Sequence, residues 1–180
     1  MADFNKVLDP GDWQNGNINT VVGISLGSTL KVEYRKAIAT FEIDRVEPDI
    51  FAKPTNYGFI PQTLDEDGDE LDTLIVINQP LPTGVYLKAK IIGILNFEDD
   101  GEMDHKIVCV PSDNRNTGSM INTIEDLGEN WKKQVEFHFS HYKDLKKPGS
   151  TIVQGWGDVE AAKKIIEESI DRYQKTNTSN

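Results

Sequence analysis

The chain has 180 residues, and its 30 Asp and Glu against 19 Lys and Arg leave a formal charge of −11. That length suits one domain able to bury about two-thirds of its unfolded surface. The charge excludes non-specific attachment to nucleic acid or anionic membrane and points to a cation as charged partner. The single cysteine, Cys109 in "HKIVCVP", leaves no intrachain disulfide and no thiolate zinc site, and reads as a small apolar residue in a buried strand.

The opening "MADFNKVLDPGDW" lacks the basic and apolar regions of a signal peptide, and no run approaches the ~18 apolar residues of a membrane span. A soluble, cytoplasmic protein is expected. Residues 1–18 are rich in Asn, Gly and Asp and read as a surface lead-in to a first strand in "TVVGISL". Short segments rich in Val, Ile and Thr follow: "LKVEY", "IATFEI", "TLIVI", "VYLKAKIIGIL" and "KIVCV". Turn residues separate them, which predicts a small closed or strongly curved antiparallel sheet. From Ile124, the apolar positions Leu127, Trp131, Val135 and Phe139 recur every three or four residues, predicting one helix to about "HYKDL". After Gly157, Asp158 can cap a second helix whose buried stripe is Val159, Ala162, Ile166, Ile170 and Tyr173, with residues 175–180 as a frayed tail. The fold class is therefore mainly β with flanking helices (α+β), a barrel with helices packed outside, forming one domain over 1–180.

The chemistry-bearing feature is "DEDGDELD" at 65–72, directly before the apolar run "TLIVI". An EF-hand fails on two counts, because Glu70 stands where its glycine is needed and Val76 where its bidentate glutamate is needed. A solvated turn that keeps the neighbouring strand soluble is the plain alternative. A second loop, "FEDDGEMDHK", carries Asp99, Asp100 and Asp104 between two strands, so two carboxylate-bearing loops could meet at one end of a barrel. Carboxylates without a His or Cys ligand set select hard ions, Mg²⁺ or Mn²⁺, over zinc. His105, His138 and His141 form no ligand pattern; the last two, three apart on a helix, are expected at the surface or at a subunit contact. Strand alternation puts Lys31 and Glu33 on one face of "LKVEY". Arg45, Tyr57, Lys106, Tyr142 and Lys143 add further donors. Each reads singly as solvated surface; converging on the carboxylates, they would hold divalent metal together with a highly charged phosphate.

The stretches "LKVEY", "FEIDRV", "PTNYGFIPQTL", "DGDELD", "GILNFEDDGEMDHKIVCVP", "HFSHYKDL" and "QGWGDVEAA" resemble the soluble, metal-dependent inorganic pyrophosphatases of bacterial size, over about residues 20 to 170. The resemblance implies a five-stranded OB-type barrel and Mg²⁺-dependent hydrolysis of pyrophosphate to two phosphates. By position, Asp67, Asp72 and Asp104 match the ligands of the tight metal. Asp69 matches the carboxylate that takes a proton from the attacking water. Asp99 and Glu33 match ligands of metals arriving with substrate, while Lys31, Arg45, Tyr57, Lys106, Tyr142 and Lys143 match the phosphate-holding set. Bacterial members commonly form hexamers, so a homo-oligomer is implied, with His141 as one candidate for its interface. Three positions depart from the family pattern: Gly23 where an acidic residue is usual, Lys53 where a tyrosine is usual, and Gly149 or a shifted Lys147 where a lysine is usual. A lysine at 53 is expected to compete for the carboxylates that take the later metals. A weakened relative that binds phosphate or a partner, and an OB-type nucleic-acid binder, are the competing readings; the negative charge opposes the second.

Overall fold

A computed structural model describes residues 3–115 and 120–178. In chain order its elements are a short helix α1 (Phe4–Val7), strands β1 (Asn17–Ile24), β2 (Leu30–Arg35), β3 (Thr40–Val46), β4 (Asn56–Phe59), β5 (Asp72–Ile75), β6 (Tyr86–Asp99), β7 (Glu102–Met103) and β8 (Lys106–Pro111), helix α2 (Glu129–His141), strand β9 (Thr151–Gly157) and helix α3 (Val159–Thr178).

Five strands close a ring in the order β1-β4-β5-β8-β6, with β6 returning to β1. Closure leaves those strands without an open edge. The ring is antiparallel except for one junction: β5 and β8 run parallel, with Asp72 opposite Lys106 and Ile75 opposite Cys109. The expectation of a wholly antiparallel sheet is corrected at that junction, and the site depends on it. Both strands are buried on both faces, so their sequences are continuous apolar runs and not alternating ones. On β8, Ile107 and Cys109 join the core beneath α3 with Ala162 and Ile166, while Val108 and Val110 join the core beneath α2 with Val135 and Phe139. Phe97, fully buried edge-on to Phe139, anchors the second core; truncating such a side chain to alanine costs ~3–5 kcal/mol.

The 14-residue β6 serves several neighbours because it bends at a bulge between Ile91 and Gly93. Tyr86 to Lys90 pair with β1, and Ile94 to Asp99 pair with β9. A side chain at Gly93 would collide with Ile124 and the Gly157 carbonyl, so only glycine permits the bend. The turn Asp100-Gly101, both residues with positive φ, then reverses β6 into β7. β2 and β3 form a separate hairpin beside the barrel.

Four sequence expectations change. The lead-in contributes core: Phe4 and Ile18 are buried, and Phe4 packs against Tyr34, Phe41 and Phe59. The helix expected from Ile124 is broken at Gly128 (φ 77°), which separates a 3₁₀ turn, Ile124–Leu127, from α2. The helix α3, capped by Asp158 as expected, continues to Thr178 where fraying was expected from residue 175. Finally, β4 and β9 are strands that short length and internal glycines concealed.

Candidate active site

The parallel junction brings the first residues of β5 and β8 to the same end of the barrel. Lys106 is buried there, with 2% of its side chain exposed, which a charge tolerates only when paired. Its ammonium donates to Asp72 Oδ2 at 2.6 Å and also to Asp104 Oδ1. A backbone hydrogen bond from Asp104 N to the Phe97 carbonyl, 3.0 Å, holds Asp104 in place. Tyr57, on the neighbouring strand β4, donates its hydroxyl to Asp72. Burial opposes the Lys106 charge, yet Asp72 and Asp104 outweigh it and hold that ammonium above the usual lysine range. Burial, with Asp72 and Asp104 beside it, keeps the Tyr57 phenol protonated well above the usual range. Gly58 follows Tyr57 because a side chain there would strike the Val21 backbone across the β1–β4 pair.

The loop 65–72 is fastened at its ends. Arg172 of α3 donates to the Leu64 carbonyl at 2.9 Å and to Asp65 Oδ1 at 3.2 Å, and Asn5 of α1 donates to Glu70 Oε1 at 2.6 Å. Between these fastenings Asp67 accepts the Asp69 amide at 3.0 Å, a local Asp turn closed over Gly68 (φ 91°). Burial raises the Asp67 carboxyl to about 6, against the lowering effect of that amide, and the like charges of Asp104, Asp72 and Asp69 add to it. The Asp69 side chain is 80% exposed, with Lys36 Nζ at 3.6 Å.

Two further elements complete the wall. At the end of β6, Asp99 accepts the Tyr142 hydroxyl at 3.0 Å and both close bonds of Lys143, at 2.5 and 2.6 Å. On the hairpin, Lys31 lies opposite Arg45. Arg45 is held by Asp44 at 2.8 Å and Glu47 at 2.5 Å, and Lys31 stands 3.9 Å from Glu33.

A cavity of about 150 Å³ gathers ten of the residues expected from sequence: Lys31, Arg45, Tyr57, Asp67, Asp69, Asp72, Asp99, Asp104, Lys106 and Tyr142. Glu33 lines an adjoining cavity that shares Lys31, Tyr57, Asp69 and Asp72 with the first. Lys143 lines neither; its ammonium is bound to Asp99. Sequence reading missed Glu47, which lines the main cavity and fixes Arg45; its alternation with Arg45 in "DRVEP" was the available signal.

Among the described residues no three carboxylate, imidazole or thiolate groups converge as a ready ligand cluster, and the Lys106 ammonium bridges Asp72 and Asp104. The donor chemistry fits a hard divalent cation nonetheless. It is all oxygen, and burial, with like charges beside it, raises the Asp67 and Asp104 carboxyls, a cost that such an ion would relieve. His138 is buried, not at the surface: it stacks on Tyr142 (5.7 Å between centroids), and burial first, then Lys53, lowers its pKa to about 3, so it is neutral. His141 stacks on Phe137 on the outer face of α2.

The departures separate clearly. Lys147 pairs with Asp100 at the surface (2.5 Å), and Gly149 (φ 73°) makes a turn with nothing packed on it, so neither lines the cavity. Gly23 lines the adjoining cavity, where a side chain would meet only the Tyr57 carbonyl, 3.8 Å from its Cβ. Lys53 lines the main cavity but is not bound to a carboxylate as expected; its ammonium faces aromatic rings.

A closed β-barrel whose mouth interleaves carboxylates with lysine, arginine and tyrosine donors belongs to the class of sites that handle polyanions together with cations. The comparisons narrow this class. A family model described as inorganic pyrophosphatase matches residues 20–174. The inorganic pyrophosphatases of Neisseria meningitidis serogroup B and of Haemophilus influenzae are each 62% identical over 175 residues, 97% of this chain and 99% of the relative. A crystal structure of an inorganic pyrophosphatase from Neisseria gonorrhoeae superposes with a TM-score of 0.94 at 60% identity, covering 96% of this chain and 99% of that one. The chain belongs to the inorganic pyrophosphatase family, which implies a divalent metal cofactor.

Proposed function

We propose that the chain hydrolyses inorganic pyrophosphate to two phosphates, with Mg²⁺ as its preferred ion and Mn²⁺ able to replace it. The observation that carries this reading is the alternation, within one cavity, of Asp67, Asp72 and Asp104 with Lys31, Arg45 and Lys106. Carboxylates alone would suit a cation, and lysines alone an anion. The mixture suits an anion that arrives with its own cations.

The roles follow from chemistry and position. Asp67, Asp72 and Asp104 would hold the resident ion, with Asp99 and Glu33 serving those that accompany substrate. When bound, divalent ions supply a water of lowered pKa and neutralise phosphate oxygens. Asp69, exposed to the cavity and free of any hydrogen bond to Lys106, accepts the proton of the attacking water. Lys31, Arg45 and Lys106 counter the charge of the transferred phosphoryl group, and the Tyr57 and Tyr142 hydroxyls turn their single protons from Asp72 and Asp99 to it. Lys143 keeps Asp99 in place. One domain over 1–180, a homohexameric assembly and a cytoplasmic setting complete the proposal.

The test is product stoichiometry. Purified protein with Mg²⁺ releases two phosphates per pyrophosphate consumed and leaves a simple phosphomonoester intact. Binding of pyrophosphate without release would move the protein to the phosphate-binding alternative.

A further inference from the structure

Lys53 is the one cation of the main cavity for which the described residues offer no anionic partner within ion-pairing distance. Lys31, Arg45 and Lys106 each have one. The Lys53 ammonium lies over the faces of Tyr57, Tyr142 and Phe139, at 5.0, 5.3 and 5.6 Å from the ring centroids. Its backbone is fixed on both sides of the hydrogen-bond ladder, donating to the Ser28 carbonyl at 2.9 Å and accepting the Gly27 amide at 2.9 Å. The side chain therefore cannot leave easily, and it crosses an apolar wall to reach a cavity lined by phosphate-binding groups.

We infer that Lys53 is a further substrate-binding residue, whose amine contacts a terminal phosphoryl oxygen of the pyrophosphate; the inference rests on the pyrophosphatase reading above. A half-buried amine with π-faces beside it and no ion-pair partner has its charge under-compensated, and an entering phosphoanion supplies what the protein withholds. Burial lowers the Lys53 pKa to about 7, and Lys31 and Lys106 push it the same way. Asp72 and Glu47 push it upward without reaching it, and His138, on α2 behind it, is neutral. The free site thus presents a partly neutral amine at pH 7. Its anionic ligand favours the charged form, so binding above pH 7 takes up a proton at Nζ.

The experiment compares wild type, Lys53→Met and Lys53→Tyr by steady-state hydrolysis with Mg²⁺ and by calorimetric binding of inorganic phosphate with Mg²⁺ present. The expected result for Lys53→Met is a rise in KM and in the phosphate Kd of about tenfold or more, with kcat changed by less than about threefold. Proton uptake on binding phosphate at pH 8, measured in two buffers of different ionisation enthalpy, falls in both variants. The melting temperature of metal-free Lys53→Met equals or exceeds that of wild type, because a partly desolvated amine without an ion-pair partner has been removed. An unchanged KM and phosphate Kd would overturn the inference. So would a lowered melting temperature with kcat and KM failing together, since that marks a residue that only supports the wall. If the wild type does not hydrolyse pyrophosphate, the pyrophosphatase reading fails, and the phosphate-binding arm still decides for or against Lys53.

Discussion

The two acidic regions of this protein differ at the tip of the first: Asp65, Glu70 and Asp72 are ion-paired with Arg172, Lys36 and Lys106, while the residues between Asp65 and Glu70 are held less closely. In the loop 65–72, Asp67 has no ion pair among the described residues, and Asp69 meets only Lys36, at 3.6 Å, from an exposed position. In the segment 99–104, each aspartate is already neutralised: Asp99 by Lys143, Asp100 by Lys147 and Asp104 by Lys106. The first region is fastened at its ends and open at its tip. The second is held by lysine ammonium groups along its length. The open tip leaves like charges uncompensated, whereas in the second region the lysines keep like charges from pushing the barrel mouth apart.

Asp69→Asn attacks the open region and has the largest expected effect. Turnover falls by roughly 10²-fold or more, the scale of a lost general base, while the Mg²⁺ dependence keeps its midpoint. Steady-state rates over a Mg²⁺ series check this, and near-normal turnover would remove Asp69 from its role. Lys143→Met attacks the lysine-held region. It leaves Asp99 with the Tyr142 hydroxyl alone, and kcat/KM is expected to fall by about tenfold to hundredfold.

Smaller effects come from the two departures that line the cavities. Gly23→Glu adds a carboxylate where the backbone leaves room, and Lys53→Tyr removes a cation. Each is expected to lower the Mg²⁺ concentration for half-maximal activity by about two- to fivefold, since one more or one fewer unit charge near a metal site is worth on the order of 1 kcal/mol. Superimposable titrations of wild type and both variants would reject this electrostatic account. The smallest effect belongs to Lys147→Met. Its ion pair with Asp100 is exposed, with 65% of the lysine side chain open to solvent, and pairs of that kind contribute ~0–1 kcal/mol. Activity within about twofold of wild type is expected, and a larger loss would mean that Asp100 belongs to the site.

Much of this arrangement was legible in the sequence because its parts announce themselves locally. The glycines of "DGD" and "DDGE" mark turns, and the apolar runs "TLIVI" and "KIVCV" mark the strands β5 and β8. The parallel pairing of β5 with β8 was not legible, since strand sequences carry side-chain alternation but not direction, and it alone sets Asp72 beside Lys106. The surroundings of Lys53 were hidden for a related reason. Its partners come from β4 and from the end of α2, and no local spacing encodes that meeting. His138 misled because helical spacing put it near His141, while the stacking of Tyr142 on its ring buries one and leaves the other outside.

The central claim is that the carboxylates of this barrel mouth work on pyrophosphate only through divalent metal. It is tested most directly by measuring phosphate release from pyrophosphate in excess chelator, in Mg²⁺, and in Mg²⁺ with added Ca²⁺. The account predicts no release in chelator, full release in Mg²⁺, and inhibition by Ca²⁺, which accepts the same oxygen ligands but is larger and a weaker Lewis acid toward its water. Undiminished hydrolysis in chelator would contradict it.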